Sequence, residues 1–196
     1  MLQMEDICSI TPPAVLAHLV AKSEELGLDR VSEPRVGALL QLLAASKPGG
    51  KMLELGTGAG IGTAWLLSGM DAASTLTTVD RDLDVQSVAR EALGDDSRVQ
   101  FVTTEGAAFL FRQQTPCYDL VFADTFPGKF EVLEDALALI KTGGFYIVVD
   151  MLPQPTWSAS KAERVPVLLD VLGNHPKLHV LPLAWANGVV VAVKKA

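Results

Sequence analysis

The sequence predicts an α/β fold in which a mostly parallel seven-stranded sheet carries helices on both faces. Residues 51–67 (KMLELGTGAGIGTAWLL) have the pattern of a strand, a glycine-rich turn and a helix. Apolar strand segments then alternate with amphipathic helical segments, which is typical of a parallel sheet with helices on both sides. The last two strands are joined only by residues 184–188 (AWANG). This connection is too short for a crossover, so one C-terminal strand should be antiparallel.

Two helices are predicted in residues 1–47, before the first strand. The first follows Thr11, which can cap a helix whose opening turn holds two prolines, and Gly27 can end it. The second begins at Ser32 or Glu33 and stops before a Lys-Pro-Gly-Gly sequence. We expect both helices to lie over the edge of the sheet or over its ligand crevice. Residues 1–196 are expected to form one domain whose core is residues 51–196.

The remaining elements follow from hydrophobic periodicity and from the glycines and prolines that punctuate it. The helix in residues 158–172 contains Pro166, which should kink or split it. Further helices are predicted in residues 82–93, 106–112 and 130–140. Strands are predicted in residues 75–80, 99–103, 118–124, 145–150, 178–183 and 189–194.

Composition narrows the function classes. The chain has a formal net charge of −7 and a pI near 4.9, which argues against a generic nucleic-acid binder. The sequence contains no uninterrupted run of about 18 apolar residues, which a membrane-spanning helix would need. The first ten residues lack a secretory signal, and Cys8 and Cys117 are isolated, as expected of reduced thiols. We therefore expect a cytoplasmic protein whose partner is a small molecule.

The glycine-rich turn suggests a cofactor site. Gly56, Gly58, Gly60 and Gly62 stand at alternate positions, where glycine permits positive φ and close approach of a ligand. The dinucleotide fingerprint G-x-G-x-x-G does not fit, because its third glycine would fall on a non-glycine residue in either register. The pattern E-x-G-x-G-x-G resembles the first motif of class I S-adenosylmethionine-dependent methyltransferases. A glycine-rich turn without a ligand is the open alternative.

Acidic residues at strand ends supply candidate cofactor contacts. Asp80 ends the second strand about 20 residues after the turn, where a carboxylate can accept both hydroxyls of a ribose. It could instead cap the following helix. Arg81, the next residue, is also expected to belong to the cofactor site. Residues 105–107 follow the third strand and are candidates for an adenine-binding turn.

A wider resemblance covers roughly Ser32 to Lys195. The succession ELGTGAGIGT, VD, YDLVFAD, TGGFYIVVD and LAWANGVVVAVKK is similar to the catechol O-methyltransferase-like family, including small bacterial O-methyltransferases. The resemblance implies a Rossmann-like class I methyltransferase fold, S-adenosyl-L-methionine as cofactor and, often, a homodimer. It also implies the following cofactor-binding residues: Val36, Gly37, Glu54, Gly56, Thr57, Gly58, Gly60, Gly62, Thr63, Asp80, Arg81, Glu105, Gly106, Ala107 and Asp124.

The family commonly holds a divalent cation, Mg²⁺ or Ca²⁺, and the sequence departs from its ligand pattern. Asp124 matches the Asp after the fourth strand. After the fifth strand the family has an Asp-Asn pair. Depending on the register, Val149 replaces its Asp, or Asp150 is the Asp and Met151 replaces its Asn. Neither Val nor Met is a ligand for these cations. Asp124 and Asp150 are the candidate metal ligands, and the missing oxygen puts metal use in doubt.

The predicted reaction is transfer of a methyl group to a hydroxyl of a small, catechol-like acceptor. Asp124, Lys129 and Asp150 are the candidate catalytic residues. The family places a lysine shortly after the first Asp as a general base; here Lys129 lies two residues further on, and a solvated lysine near a helix start is the alternative. Two other functions stay open: a metal-independent methyltransferase acting on another small molecule or tRNA, and a cofactor-binding protein without transfer activity.

Overall fold

The computed structural model describes residues 11–28, 33–113, 115–155, 157 and 159–196. Its strands are β1 (Lys51–Leu55), β2 (Thr75–Asp80), β3 (Val99–Thr103), β4 (Tyr118–Ala123), β5 (Ile140–Val148), β6 (Leu178–Leu183) and β7 (Val189–Lys194). Its helices are α1 (Leu16–Glu25), α2 (Pro34–Ala45), α3 (Ile61–Gly69), α4 (Leu83–Leu93), α5 (Gly106–Phe111), α6 (Leu133–Ala138) and α7 (Ala159–Gly173).

The seven strands form one sheet in the order β3-β2-β1-β4-β5-β7-β6. Strands β1 to β5 pair in parallel, and β7 runs antiparallel to both of its neighbours. The predicted fold class, with one reversed strand near the C-terminus, is therefore confirmed. The carboxyl ends of β1, β2, β4 and β5 consequently open on the same edge of the sheet, where open α/β sheets bind ligands.

Alternation of side chains along the central strands divides the core into two layers. In β1, Leu53 and Leu55 pack with residues of α5, α6 and α7, while Met52 packs on the other face with residues of α1, α2 and α3. Trp65 of α3 is fully buried in that second layer. Its ring lies where a Cβ on Gly37 would stand, so glycine lets α2 approach α3 closely. No helix in the described ranges is long and apolar enough to cross a membrane.

Several predicted boundaries are wrong. Helix α1 begins at Leu16 after Val15 as N-cap, so Thr11 caps nothing, because the chain from Thr11 to Pro13 stays irregular. Helix α2 begins at Pro34, as Pro at the first helical position favours. The predicted start at Ser32 lies outside the described residues.

Three further differences concern the C-terminal half. The predicted helix over 130–140 is reduced to α6, and β5 begins at Ile140 because it pairs with Tyr118 before the register shifts. Strand β5 ends at Val148 and β4 at Ala123, so Asp124 and Asp150 follow their strands instead of ending them. Helix α7 runs unbroken through Pro166, whose side chain is exposed.

Candidate active site

A cleft of about 560 Å³ opens at the carboxyl edge of the sheet. A second cavity of about 370 Å³ adjoins it, and both are lined by Gly56, Asp80 and Thr125. Nine of the predicted site residues line the first cleft: Val36, Glu54, Gly56, Thr57, Gly58, Gly62, Asp80, Asp124 and Asp150. Arg81, Glu105 and Gly106 line the second cavity.

The glycine-rich turn has the backbone geometry that its sequence predicts. Gly56, Gly58 and Gly60 have φ of 100°, 53° and 93°, which side-chain-bearing residues rarely adopt. A Cβ on Gly60 would lie 2.6 Å from the Cβ of Ala89, so this glycine lets α4 pack against the turn. A Cβ on Gly58 would meet nothing within 4 Å. Gly58 therefore presents bare backbone to the cleft.

Asp80 is anchored to this turn. Its Oδ2 accepts a hydrogen bond from the Gly58 N–H at 2.8 Å, and its Oδ1 accepts one from the Asp82 N–H at 3.0 Å. The helix cap is Asp82, whose carboxylate accepts from the N–H groups of Asp84 and Val85. The alternative that Asp80 is a helix cap is therefore wrong. Its half-buried carboxylate keeps unused lone pairs at the junction of the two cavities.

The predicted adenine-binding turn lies beside the second cavity. Glu105 precedes α5 and forms no side-chain cap, and its carboxylate lies 3.9 Å from the Arg81 guanidinium. Both side chains are exposed, at 61% and 74%. Gly106 is buried against Pro127, and Ala107 is half-buried in the first turn of α5. Glu105 thus presents an exposed carboxylate beside the second cavity.

Glu54 is a carboxyl group buried beneath the glycine turn. Only 1% of the residue is exposed. Its Oε2 accepts hydrogen bonds from the hydroxyls of Thr63 and Thr78, at 2.5 Å and 2.7 Å. Its Oε1 has no hydrogen-bond partner among the described residues. Burial, opposed by the two hydroxyls and reinforced by the charges of Asp124 and Asp80, raises the pKa of Glu54 to about 8.

A polar network that the sequence did not indicate supports the turn from below. The hydroxyl of Thr57 shares a hydrogen bond of 2.7 Å with Thr78, and Gln86 of α4 donates to Thr57 at 2.9 Å. Gln86 also accepts from Thr103 and Arg90. Its position on the inner face of an amphipathic helix, among apolar residues, is the only sequence signal that could have revealed it. Thr57 therefore helps to fix the turn and also lines the cleft.

Asp124 and Asp150 reach the cleft from neighbouring parallel strands. The Asp124 N–H donates to the Leu55 carbonyl at 2.9 Å, which fixes the residue immediately beyond β4. Asp150 has φ 58°, a left-handed conformation that Asp tolerates better than most residues. Both residues line the same cleft as Glu54. Both residues therefore lie at the carboxyl edge of the sheet, in one cleft.

Two amide side chains hold Asp150, and the sequence identified neither. Asn187 Nδ2 donates to Asp150 Oδ1 at 2.6 Å, and Gln154 Nε2 donates to the same oxygen at 3.2 Å. Asn187 belongs to the turn between β6 and β7 and lines the cleft, as does Gln154. Asn187 stands in the LAWANG segment that carried part of the family resemblance. No local motif, however, connects it to Asp150, which lies 37 residues earlier.

Lys129 lies away from the lining of the two cavities. The residue is only 3% exposed, and its Nζ donates to the Val149 carbonyl at 2.5 Å. The alternative of a solvated lysine is therefore wrong, because its ammonium is buried between the 126–131 turn and the end of β5. Gly37, Gly60 and Thr63 also lie outside the cleft lining and act on it through packing or through Glu54.

The side chains at this edge of the sheet do not match the ligand set of the divalent cation that the family resemblance implies. Val149 or Met151, depending on the register, stands where the family has an oxygen ligand; the two residues are buried at 3% and 6% exposure and pack into the two apolar layers. Across the described part of the chain, no group of three or more His, Cys, Asp or Glu side chains is placed to hold a metal ion. The residues present do not supply the family's three side-chain ligands.

Comparison with known proteins identifies the family. Residues 53–151, which span β1 to the segment after β5, match the family described as a methyltransferase domain. The chain belongs to this methyltransferase family. The match includes the glycine turn, Asp80, Asp124 and Asp150 of the candidate site.

Two curated relatives of this chain are each named "Putative O-methyltransferase". One, from Mycobacterium leprae (strain Br4923), is 36% identical over 145 residues, which cover 71% of this chain and 64% of the relative. Another, from Mycolicibacterium smegmatis, is 32% identical over 71% of this chain and 69% of the relative. The match thus spans less than two thirds of the length of the first relative and slightly more than two thirds of the second. The family resemblance predicted from the sequence is confirmed.

Solved structures share the methyltransferase fold. An O-methyltransferase from Bacillus cereus in complex with SAH has a TM-score of 0.83 and 21% identity, covering 97% of this chain and 94% of that one. TomG from Streptomyces achromogenes, an O-methyltransferase in complex with SAM, has a TM-score of 0.83 and 20% identity, covering 96% and 93%. At these identities the likeness establishes the fold.

Proposed function

We propose that the protein is an S-adenosylmethionine-dependent O-methyltransferase that acts on a small, catechol-like acceptor. The observation that carries the proposal is the pairing of Asp80 with Gly58 at the mouth of the cleft. It places a carboxylate with unused lone pairs beside bare backbone, which is what a ribose diol and a closely approaching cofactor require. The family match and the names of the relatives support the same reaction class.

The described residues fit the cofactor along the two adjoining cavities. Asp80 would accept hydrogen bonds from the ribose hydroxyls, and Glu105 and Gly106 would face the adenine in the second cavity. Glu54, which lines the first cleft beneath the glycine turn, would lie near the methionine portion. When bound, S-adenosylmethionine supplies an electrophilic methyl group on a sulfonium sulfur.

Residues of this chain would position the acceptor and take its proton. Asp124 and Asp150 line the cleft from adjacent strands, and a carboxylate within reach of a hydroxyl can act as its general base. Leu28, Leu152 and Pro153 give the same cleft apolar surface suited to a ring. Holding the hydroxyl and the methyl group together supplies the proximity on which such a displacement depends.

We further propose that the reaction does not depend on a tightly held divalent cation. The support is the chemistry of the donor set: Val149 and Met151 are buried among apolar side chains, and Asn187 and Gln154 already engage one oxygen of Asp150. Any cation would need additional water ligands and should bind weakly.

The test measures cofactor binding and then methyl transfer to catechols. Purified protein is titrated with S-adenosylhomocysteine by calorimetry, then incubated with S-adenosylmethionine and a panel of catechols in EDTA or in Mg²⁺. The proposal predicts cofactor binding and a monomethylated product in both buffers. Cofactor binding without any product would indicate a binding protein. Complete loss of activity in EDTA that micromolar Mg²⁺ restores would contradict the weak-metal proposal.

We also propose a homodimer. Leu26 and Leu42, on the N-terminal segment, expose 47% and 67% of their surface, and exposed apolar side chains can contribute to an interface. Light scattering at micromolar concentration should give twice the mass of the chain, and a monomeric mass would exclude the dimer. Cytoplasmic location and the single-domain extent of residues 1–196 stay predictions.

A further inference from the structure

Gln86 of α4 is a fully buried amide that contacts two separate segments of the cofactor site. None of its surface is exposed (0%). Its Nε2 donates to the Thr57 hydroxyl at 2.9 Å and to the Val102 carbonyl at 3.2 Å. Its Oε1 accepts from the Thr103 hydroxyl at 2.6 Å and from Arg90 Nη2 at 3.1 Å. Both donor positions and both acceptor positions of the amide are therefore used.

The orientation of this amide is fixed by its neighbours. The Val102 carbonyl can only accept a hydrogen bond and the Arg90 guanidinium can only donate one, so the nitrogen and the oxygen of Gln86 cannot exchange places. The Thr57 hydroxyl accepts from Gln86 and donates its own hydrogen to Thr78, at 2.7 Å. Thr78 donates in turn to the buried carboxyl group beneath the glycine turn, also at 2.7 Å. The hydrogen bonds therefore run in one direction from Gln86 into the base of the turn.

The two segments that Gln86 joins belong to different cavities. Thr57 is part of the glycine-rich turn and lines the first cleft. Residues 102–103 end β3, and the chain then enters the turn in which residues 105–106 line the second cavity. Within the sheet, β1 and β3 do not pair with each other, because β2 lies between them. The amide of Gln86 thus connects directly two segments that the sheet connects through β2.

We propose that Gln86 is a positioning residue that sets the spacing of the two cavities, so that one S-adenosylmethionine molecule fits both at once. The inference deepens the proposed function, because it rests on cofactor binding along both cavities. Gln86 itself lies outside the linings of both cavities and acts through Thr57. A binding site keeps its geometry when the side chains behind it are held by packing and hydrogen bonds. Without the amide, the two segments would be able to shift relative to each other. A ligand that spans both cavities would then lose more affinity than a ligand confined to one.

The test compares S-adenosylhomocysteine, which spans both cavities, with adenosine, which lacks the part that would enter the first cleft. Gln86→Leu nearly keeps the size of the side chain and removes its hydrogen-bonding groups. By calorimetry it should raise the Kd for S-adenosylhomocysteine at least about tenfold and that for adenosine less than about threefold. The matched control is Arg98→Met, which removes the 2.7 Å ion pair with Asp96 and the hydrogen bond to the Met70 carbonyl. These three residues line neither cavity, so the control should lower stability and leave both Kd values unchanged.

A double-mutant cycle with Thr57→Val shows whether Gln86 acts through the turn. Thr57→Val alone should weaken S-adenosylhomocysteine binding and spare adenosine, which tests the link even if Gln86→Leu does not fold. In the Thr57→Val protein, Gln86→Leu should change the Kd for S-adenosylhomocysteine by less than about threefold, since the link is already broken. Equal weakening of both ligands, unchanged Kd values, or additive effects in the cycle would overturn the inference while cofactor binding stands. A wild type that does not bind S-adenosylhomocysteine would contradict the proposed function and this inference with it.

Discussion

The Asp80 carboxylate and the Gly58 N–H are joined by a 2.8 Å hydrogen bond across the mouth of the cleft. The two residues lie 22 positions apart in the chain, and the bond connects the end of β2 to the turn after β1. It fixes the carboxylate at the junction of the two cavities. One interaction therefore shapes the turn and positions the group that would receive the ribose.

Removal of this carboxylate should weaken cofactor binding far more than folding. Asp80→Ala should raise the Kd for S-adenosylhomocysteine at least about tenfold, because two hydroxyl contacts and the anchor of Gly58 are lost together. The matched variant is Asp82→Ala, which removes the α4 cap two residues away. It should lower the free energy of unfolding by about 1 kcal/mol and leave the Kd unchanged. Equal Kd values for wild type and Asp80→Ala would refute the ribose assignment.

The glycines of the turn should divide into packing and binding positions. In Gly60→Ala, an alanine would have to adopt φ 93°, and its Cβ would lie 2.6 Å from the Cβ of Ala89. It should destabilise the fold by about 2–4 kcal/mol. In Gly58→Ala, the new Cβ would meet nothing within 4 Å. This variant should lower the free energy of unfolding by only about 1–2 kcal/mol, yet its methyl group should obstruct the ligand. Urea unfolding and calorimetry on both variants separate the effects; the reverse ranking in stability would contradict this division.

Glu54 should make the unliganded protein less stable as pH rises. The folded state keeps the Glu54 proton up to about pH 8, whereas the unfolded chain releases it near 4.5. The folded state therefore binds more protons in this window, and the free energy of unfolding should fall between pH 4.5 and 8 by on the order of 5 kcal/mol from this group.

The check for Glu54 is urea unfolding at several pH values. Glu54→Gln keeps the size of the side chain and has no proton to lose. Its stability should vary less with pH than that of wild type, and the two curves should diverge most above pH 8. Parallel curves for the two proteins would show that Glu54 ionises normally in the folded state.

Lys129 should contribute to stability through its contact with the end of β5. Lys129→Met removes the donor to the buried Val149 carbonyl and should lower the free energy of unfolding by about 1–3 kcal/mol. Lys129 does not line the cleft, so the geometry does not favour it as the general base, and that role stays a prediction. Loss of turnover in Lys129→Met at unchanged stability and unchanged acceptor affinity would restore it.

The sequence predicted the fold well because its signals are local. Strands β2, β3, β6 and β7 have the predicted bounds, since each is a short run rich in apolar and β-branched residues between turn residues. The boundaries of β5 and α6 were wrong because pairing with β4 draws Ile140 into the sheet, and no local pattern encodes that pairing. Long-range pairing likewise ends β5 before Asp150.

The site residues that the sequence indicated are those whose residue type is tied to a particular backbone conformation or position. The glycines and Asp80 were identified because positive φ and strand-end carboxylates have few alternatives. Asn187, Gln154 and Gln86 were missed because an amide side chain carries no motif and acts only through a partner distant in sequence. The burial of Lys129 was likewise invisible, since its carbonyl partner belongs to the backbone of another strand.

The most direct measurement of methyl transfer in this cleft follows the methyl group itself. Protein in EDTA is mixed with S-adenosylmethionine carrying a labelled methyl and with catechol, and mass spectrometry locates the label over time. We expect label on one catechol oxygen, formed at least about a hundredfold more slowly by Asp124→Asn, which lacks one of the two proposed bases. Label that remains on the cofactor in wild type, or equal rates in the two proteins, would contradict methyl transfer by this site.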